Sequence, residues 1–594
     1  MRLRLVAAAL AALALAPAAR ADTTTPTAPV FDSKGRLVQT PLVPPPPTGP
    51  HLTKPQALHD LEAYPKVRDW LARYPKTGLV DEEDYSTTDK TWTVKVWWGA
   101  AGEIAQGTVD DATGVVTEAW TGPQVAWGMA RGSPGAFGGT TINDPWVWGA
   151  FMAAFLIGLA DWRRPLSLRN LDLLFLLSPT ASLWFFNHGD IFTADPLIYP
   201  ALVWVVLRCI RIGRTGEGTR GRPVWPVWVL LAATVFLAGF RIGLNVEASN
   251  VIDVGYSGVI GAERIWAGQA PWGNFPVEDD RTPCGPADAS GEIRDRIQAD
   301  GRCESANPLG DTYGPVAYES YLPGFWIFGW SGKWDSLPAA HFTSIAFDLL
   351  TMLGLFLVGR RFGGARLAAT LAFAWAAYPF TQYASNSNTN DVLMPCFLVW
   401  GFLVCTSDAG RGVFSALSGW TKFASLIVVP LWLTYPDRRP KLRYVLGFVI
   451  ATLAAFSVVL LEPDPLHELA VFWHRTIGWQ AGRDAPFSLW DWRQYHARGL
   501  PDLHVVQRIL QVALVAGALL AALFPRRKNP LQLAALTAAL LAGFEIVLTY
   551  WLYTYIPWFY AFAAIALLAP AVAVAAAPSD DDAEELDPVS AAVV

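Results

Sequence analysis

From Pro145 onward, the chain repeats apolar stretches of the length that crosses a bilayer, and no other feature constrains the fold as much. The predicted spans are 146–161, 171–187, 191–210, 224–243, 338–358, 365–382, 391–406, 442–461, 504–524, 531–549 and 552–577. Only 16% of the residues are charged and 53% are hydrophobic, whereas a soluble protein carries about 25% charged residues. The sequence therefore predicts a mainly α-helical, polytopic membrane protein.

Four short connections between the predicted spans are rich in arginine: "DWRRPLSLR", "RCIRIGRTGEGTRGR", "GRRFGGAR" and "FPRRKN". With an exported N-terminus, all four fall on one side, and the excess of Lys and Arg in cytoplasmic loops assigns that side to the cytoplasm. The two large loops, 244–337 and 462–503, are then exported. The acidic tail, 578–594, is predicted to be cytoplasmic.

The segment 413–434 breaks this alternation of sides, because a simple span there would export the basic stretch "YPDRRPKLR". We predict a re-entrant pair of half-helices that turns near Trp420 and Lys422, with both ends on the cytoplasmic side. Broken helices are tolerated at membrane depth where they line a protein cavity. The alternative is a plain span followed by an atypical outer loop.

The N-terminal quarter of the chain has a different composition. Residues 1–21 have the basic start, short apolar core and A-x-A ending of a cleavable signal peptide, with an uncleaved anchor as the alternative. Residues 22–56 are a Pro/Thr-rich linker. Residues 57–144 combine helical spacing with later alternation, which predicts a small exported α+β domain of binding or regulatory character. Its stretch "VDDATGVVTEAWTG" resembles PepSY-like periplasmic modules.

Two of the five cysteines lie in the first exported loop. Cys284 and Cys303 flank a polar stretch, so we predict a disulfide between them, with two free thiols as the alternative. The other three, Cys209, Cys396 and Cys405, lie in apolar segments and are predicted to be packing residues.

Two charged residues stand out in the membrane region. Asp253 begins an amphipathic stretch that is predicted to lie along the outer interface. Lys422 lies within an apolar stretch, where a charge costs about 3 kcal/mol or more and usually has a function. The structural alternative for Lys422 is pairing with an intramembrane carboxylate such as Asp348 or Glu545, and that for Asp253 is a helix cap or an ion pair with Arg241 or Arg264.

Several segments, taken in order, resemble the GT-C glycosyltransferases, especially glycosyltransferase family 87. "IDVGYSGVIGAERIWAGQAPWGN" is similar to the first exported loop of that family, and "DTYGPVAYESYLPGF" to a later element of the same loop. "NSNTNDVLMPCFLVWGFLV" resembles an outer-face Asn/Asp before a span, "GWTKFASLIVVPLWL" a membrane-embedded lysine, and "TYWLYTYIPWFYAF" the aromatic last pair. The chain departs from the family by its extra spans between 146 and 210, its N-terminal domain and its single Asp at 253.

The resemblance implies an enzyme that transfers a monosaccharide from a polyprenyl-phosphate donor to an envelope glycan or glycolipid at the outer face of the membrane. It implies inversion at the anomeric carbon, with mannose or arabinofuranose as the sugar. Asp253 would be the catalytic base, and Lys422 with His341 would bind the donor phosphate. The predicted substrate-binding residues are Tyr256, Tyr313, Tyr318, Asn390 and Asp391. The alternatives are an interfacial aromatic belt for the tyrosines and helix capping for Asn390 and Asp391.

Two other classes of function stay open at this stage. A transporter or flippase of lipid-linked glycans would also use intramembrane charges, and a non-catalytic sensor or scaffold would tolerate replacement of Asp253 and Lys422. The net charge of −6 gives no indication of nucleic-acid binding. No cofactor is predicted with certainty. "VEDDR" (277–281) and "SLWDWR" (488–493) carry oxygen ligands for a divalent cation without diagnostic spacing, so the metal is unknown.

Overall fold

The computed structural model describes residues 30–39, 49–87, 89–98, 102–121, 125, 136–188, 190–218, 225–275, 296–297, 303–304, 310–330, 337–481, 487–492 and 501–569. The predicted signal peptide, 1–21, and the predicted tail, 578–594, lie outside these residues. So do Cys284 and the stretch 277–281, and the Cys284–Cys303 disulfide therefore stays a prediction.

The chain divides into two compact units, of which the smaller comprises Met1–Asp69, Val80–Val96 and Gln106–Ala119. Its described helices are Lys54–Ala63 and Pro65–Leu71. Its strands belong to a two-stranded sheet, Val30–Phe31 and Leu37–Gln39, and to a four-stranded sheet in sequential order, Leu79–Ser86, Thr91–Trp98, Gly102–Asp110 and Val116–Thr121.

The strand Thr91–Trp98 shows the alternation of buried and half-buried residues that is typical of a sheet with one covered face. Trp92, Val94 and Val96 are buried on one face of their strand, because successive side chains of a strand point to opposite faces. Leu61 of the first helix packs directly on Gly107, where an added Cβ would lie 2.1 Å from the leucine Cδ1. The predicted exported α+β domain 57–144, its location and its role stay predictions.

The larger unit is almost entirely helical. Its described α-helices are Thr140–Asn143, Pro145–Leu159, Leu168–Leu177, Pro179–Asn187, Ile191–Thr215, Val227–Ala248, Asp253–Trp266, Pro315–Glu319, Leu322–Phe328, Pro338–Ala377, Pro379–Asn386, Leu393–Leu403, Asp408–Thr421, Val429–Leu433, Leu442–Ala455, Pro465–Trp473, Trp479–Ala481, His504–Leu523, Pro530–Ile546 and Pro557–Leu568. Short 3₁₀-helices are Asn390–Val392, Phe423–Val428, Phe456–Leu461, Leu489–Asp491 and Tyr553–Tyr555. A π-helical turn is His474–Gly478, and Arg296–Ile297 pairs with Cys303–Glu304 as a short β-ladder.

Helices of this unit have the length and composition of membrane spans. Among the described residues, five helices are long and apolar enough to cross a bilayer: Ile191–Thr215, Val227–Ala248, Pro338–Ala377, Leu442–Leu461 and His504–Leu523. Five shorter apolar helices of 10–17 residues accompany them. The chain is therefore a predominantly helical membrane protein, as predicted, whereas the number of eleven spans stays a prediction.

The structure interrupts several predicted spans at residues that disfavour a continuous helix. The predicted span 171–187 is two helices, because Pro179 lacks a backbone N–H and begins a new helix instead of continuing the first. Within Pro338–Ala377, Gly364 has a φ of 74°, a left-handed conformation that breaks the helical path.

Two buried ion pairs, Arg241–Asp348 and Arg208–Asp172, connect helices of the bundle. Arg241 Nε lies 3.0 Å from Asp348 Oδ2, and the Trp375 indole donates to Asp348 Oδ1 at 2.8 Å. Arg208 Nε lies 2.8 Å from Asp172 Oδ1. Asp348 thus stabilises the bundle. Lys422 pairs with a different buried carboxylate, Asp391, so the predicted alternative of a carboxylate partner holds, but with another residue than Asp348.

Candidate active site

The segment 408–435, here called the hairpin segment, reverses its direction near Lys422, so that its start and its end lie close together. Arg411, near its start, donates from Nε to the Trp432 carbonyl at 3.2 Å and from Nη2 to the Tyr435 carbonyl at 2.9 Å, near its end. At the turn, Lys422 has an extended backbone with φ −141° and ψ 120°. These contacts bring the two ends of the segment together, while its re-entrant position in the membrane stays a prediction.

Lys422 lies at the turn of the hairpin segment and is surrounded by groups that stabilise a cation. Its ammonium Nζ is 2.9 Å from Asp391 Oδ1, and the side chain is 9% exposed. The same nitrogen lies 4.9 Å from the ring centre of Tyr313, 5.2 Å from that of Tyr555 and 5.5 Å from that of Trp558. Aromatic faces attract cations at such distances. We call these five residues the lysine cluster.

Asp391 also has neutral hydrogen-bond donors. The Thr389 hydroxyl donates to Oδ2 at 2.8 Å and the Trp558 indole donates to Oδ1 at 3.2 Å. The hydroxyl of Thr389 accepts the backbone N–H of Asp391 at 3.2 Å and so caps the turn that follows. Capping by Asp391 was the predicted alternative and is wrong, because Thr389 is the cap and the carboxylate binds Lys422.

A buried polar segment, residues 381–391, carries Asp391 into the bundle. Every residue from 367 to 396 is buried, although nine of the eleven residues 381–391 are polar or charged. Buried polar groups require partners, and Asn388 meets this requirement by donating to the Ser249 hydroxyl at 3.0 Å and to the Asn250 carbonyl at 2.8 Å. Asn390 is buried and its Oδ1 has no hydrogen-bond partner within the described part of the chain.

Glycine allows the segment around Gly314 to approach the turn of the hairpin segment. A Cβ at Gly314 would lie 2.0 Å from the Trp420 carbonyl oxygen, so only glycine fits this contact. The preceding residue, Tyr313, accepts the Trp272 indole N–H at its carbonyl, at 2.9 Å. Together these contacts place the Tyr313 ring beside Lys422.

Asp253 is the first residue of the helix Asp253–Trp266, which we call the interfacial helix after its predicted position, and its side chain is exposed. The start of this helix packs on the polar segment. The Ile252 N–H donates to the Ser387 carbonyl at 3.4 Å, and a Cβ at Gly255 would lie 2.2 Å from the Asn388 carbonyl oxygen. A carboxylate at a helix N-terminus is stabilised by the helix dipole.

The other predicted tyrosines support the site from within the protein. Tyr256 is fully buried, with its ring 5.6 Å from that of Trp330. Tyr318 donates its hydroxyl to the Gly310 carbonyl at 2.9 Å and meets Tyr313 edge to face at 6.4 Å. Tyr313 is the predicted tyrosine that reaches Lys422, and sugar binding by Tyr256 and Tyr318 stays a prediction.

His341 joins the network of the polar segment. Its Nδ1 is 2.9 Å from Asn245 Oδ1 and 3.3 Å from the Ser249 hydroxyl. Asn245 in turn donates to the Asn388 Oδ1 at 3.0 Å. His341 is therefore linked through hydrogen bonds to the polar segment that carries Asp391. Its role with the donor phosphate stays a prediction.

Two acidic residues that were not predicted, Asp311 and Glu462, bind the backbone of the turn that follows the interfacial helix. Asp311 Oδ2 accepts from Arg475 Nε at 2.6 Å and from the Gly273 N–H at 2.8 Å. Burial raises the pKa of Asp311 despite these donors. Glu462 Oε1 accepts the Ala270 N–H at 2.9 Å. The stretch "GQAPWGN" is thus held from both sides by carboxylates that are distant in sequence, and no local pattern marks them.

Glu319 and Glu468 lie outside the membrane spans and have raised pKa values. Burial raises the pKa of Glu319 to about 8 and that of Glu468 to about 7, where nearby carboxylates add to the effect. Among the residues that the structure describes, no group of three or more His, Cys, Asp or Glu side chains is arranged to hold a metal ion. The metal requirement stays open, since 277–281 lies outside these residues.

Comparison with known proteins gives a likeness to a solved structure. No protein-family model matches the chain, and no curated protein matches it. The chain is similar to ArnT from Cupriavidus metallidurans, whose crystal structure contains undecaprenyl phosphate, with 17% sequence identity and a TM-score of 0.35. The match covers 57% of this chain and 59% of that chain.

Proposed function

We propose that the protein is a membrane glycosyltransferase of the GT-C type that uses a polyprenyl-phosphate monosaccharide as donor. The observation that carries the proposal is the lysine cluster, in which the Lys422 ammonium, predicted to lie within the membrane, stands at the turn of the hairpin segment among three aromatic rings. An ionisable group inside a membrane usually serves a function because its burial is costly. A lipid-borne phosphate is an anion that can reach such a site while its tail stays in the bilayer.

Lys422 is the group that we assign to the phosphate of the donor. Positive charge fixed in a site with little water stabilises negative charge that develops on a leaving group far more than it would in bulk water. The rings of Tyr555 and Trp558 lie against the ammonium and exclude water from it. Lys422 would therefore favour departure of the polyprenyl phosphate.

Asp253 is the group that we assign to the acceptor. Its exposed carboxylate takes the proton of the acceptor hydroxyl while the hydroxyl oxygen attacks the anomeric carbon. The bond between that carbon and the phosphate oxygen breaks, and its electron pair leaves with the polyprenyl phosphate beside Lys422. Attack opposite the leaving group inverts the anomeric carbon. Mannose or arabinofuranose as sugar, and an envelope glycan or glycolipid as acceptor, complete the proposal.

Transfer from synthetic donors tests this function. The purified full-length protein is incubated with a panel of polyprenyl-phosphate monosaccharides, alongside Asp253→Asn and Lys422→Gln. A matched control is Asp172→Asn, which alters a different buried ion pair. We expect transfer by the wild type and the control from at least one donor, and strongly reduced transfer by both site variants. Absence of transfer from every donor by the folded wild type would overturn the proposal.

A further inference from the structure

The ammonium that we assign to the donor phosphate already has an anion beside it. Asp391 Oδ1 lies 2.9 Å from Lys422 Nζ, and both side chains are at least nine-tenths buried. Together the pair has no net charge, so an incoming phosphate meets a cation that is already neutralised. Two anions cannot both make the closest contact with one ammonium without mutual repulsion.

We propose that Asp391 is a displaceable counter-ion, whose place on Lys422 is taken by the phosphate of a polyprenyl lipid. This inference rests on the proposed function, since it assumes that Lys422 is the phosphate site. Asp391 acts through Lys422 and is a positioning residue. In the absence of donor, Asp391 keeps the Lys422 side chain oriented toward the site. When the donor binds, the ammonium exchanges its contact with Asp391 for a stronger contact with the phosphate.

The contacts of each partner allow the pair to separate. When Lys422 moves away, Asp391 keeps the Thr389 hydroxyl at 2.8 Å and the Trp558 indole at 3.2 Å. When Asp391 loses the ammonium, Lys422 keeps its aromatic neighbours, of which the Tyr313 ring centre lies at 4.9 Å. Neither charge is left without stabilising contacts, which makes exchange less costly than breaking an ordinary buried pair.

The backbone around the pair is suited to small movements of Lys422 and not of Asp391. Lys422 lies between two helical pieces, Asp408–Thr421 and Phe423–Val428, and has extended backbone dihedral angles. Asp391 lies in a continuously buried stretch whose turn is capped by Thr389. The long side chain at the break therefore changes partner, while the carboxylate stays in place.

Direct binding of lipid phosphate tests the exchange. The binding of a radiolabelled synthetic polyprenyl phosphate to purified full-length protein is measured for the wild type, Asp391→Asn, Lys422→Gln and the control Asp172→Asn. Removal of the competing anion should tighten binding by Asp391→Asn by about tenfold. Lys422→Gln should bind at least about tenfold more weakly, and the control should bind like the wild type.

The outcomes separate this inference from the function on which it rests. Equal or weaker binding by folded Asp391→Asn, with the expected loss in Lys422→Gln, overturns the counter-ion role and leaves the phosphate site standing. Absence of binding by the wild type overturns both. Inorganic phosphate is tested in parallel. If Asp391→Asn also binds inorganic phosphate more tightly than the wild type, the phosphate group alone is enough to replace Asp391. If only the binding of the lipid tightens, the polyprenyl tail is needed to bring the phosphate to the site. Each result supports the exchange.

A second variant covers the case in which Asp391→Asn does not fold. Thr389→Val removes the hydroxyl donor from Asp391 Oδ2, so the carboxylate depends more on Lys422 and releases it less readily. Binding of polyprenyl phosphate should weaken by about threefold, whereas Thr389→Ser, which keeps the hydroxyl, should bind like the wild type. Unchanged binding by folded Thr389→Val would contradict the exchange.

Discussion

Asp253 is exposed at the first residue of the interfacial helix, whereas Lys422 is buried in the lysine cluster, so only the substitution of Lys422 should weaken donor binding. In Asp253→Asn we expect kcat to fall by about 100- to 10,000-fold, the range typical of a lost general base. Binding of the donor should be unchanged, because the phosphate contacts remain. Steady-state kinetics and donor binding measured on the same preparation check this, and an unaltered kcat would exclude Asp253 as the base.

Glu468 should make stability depend on pH. It is 5% exposed, and its pKa of about 7 lies above the ordinary value of 4.5 because burial disfavours the charged form. As pH rises from about 4.5 to 7, the unfolded chain loses this proton before the folded chain does, so stability falls and then levels off. Thermal midpoints between these values should decline less in Glu468→Gln than in the wild type. The same decline in both proteins would contradict the assignment.

The sequence predicts single residues well when their surroundings in the chain are unusual. Lys422 is recognisable because it is a charge inside an apolar stretch, and it lies at the turn where it was predicted. Its partner Asp391 was predicted as a substrate-binding or capping residue, because the pairing of residues 391 and 422 depends on tertiary packing. Asp311 and Glu462 were not predicted, since nothing in their local sequence distinguishes them from other loop carboxylates.

The hairpin segment packs on the helix Leu442–Ala455 through Gly412, and this contact between two helices can be tested. A Cβ at Gly412 would lie 2.1 Å from the Tyr444 carbonyl oxygen, whereas nothing lies within 4 Å of a Cβ at Gly517. Gly412→Ala should separate the two helices at a cost of about 1–3 kcal/mol. Its thermal midpoint and its binding of polyprenyl phosphate should both fall, while the control Gly517→Ala should retain both. Wild-type behaviour of Gly412→Ala would contradict this packing.

The presence of a helix was predicted reliably, whereas the points at which a helix is interrupted were predicted less reliably. Apolar composition indicates that a segment lies in the membrane, but Pro179 divides a predicted span into two helices, whereas Gly364 lies between the predicted spans 338–358 and 365–382. The re-entrant form of the hairpin segment was predicted because the alternative exports a basic stretch, and it stays a prediction. The contacts of Arg411 that close it depend on two carbonyl groups more than twenty residues away.

At the scale of the whole molecule, the predicted topology places Asp464 outside and Arg439 in the cytoplasm. Both residues are exposed, so cysteines there can react with a maleimide that does not cross membranes. In a protein with Cys284→Ser and Cys303→Ser, we expect labelling of Asp464→Cys in intact cells. Arg439→Cys should be labelled only after permeabilisation. The reverse pattern would invert the topology and place the proposed site on the wrong side.

Composition and the distribution of charge predicted the membrane character of the whole chain, because those properties depend on averages over many residues. The assembly of the lysine cluster depends on particular contacts between segments that are far apart in sequence, such as those of Tyr313 and Trp558 with Lys422. The order of the motifs suggested that these segments meet, but it could not predict which side chains touch.

The claim that a lipid phosphate binds at Lys422 is tested most directly by photo-crosslinking. A polyprenyl phosphate with a photoreactive group beside the phosphate is bound to the purified protein and activated, and the modified peptides are identified by mass spectrometry. We expect adducts on the peptides that contain Tyr313, Trp420 or Trp558, and their loss in Lys422→Gln. Adducts confined to other helices, such as Ile191–Thr215, or adducts that persist in Lys422→Gln, would contradict the claim.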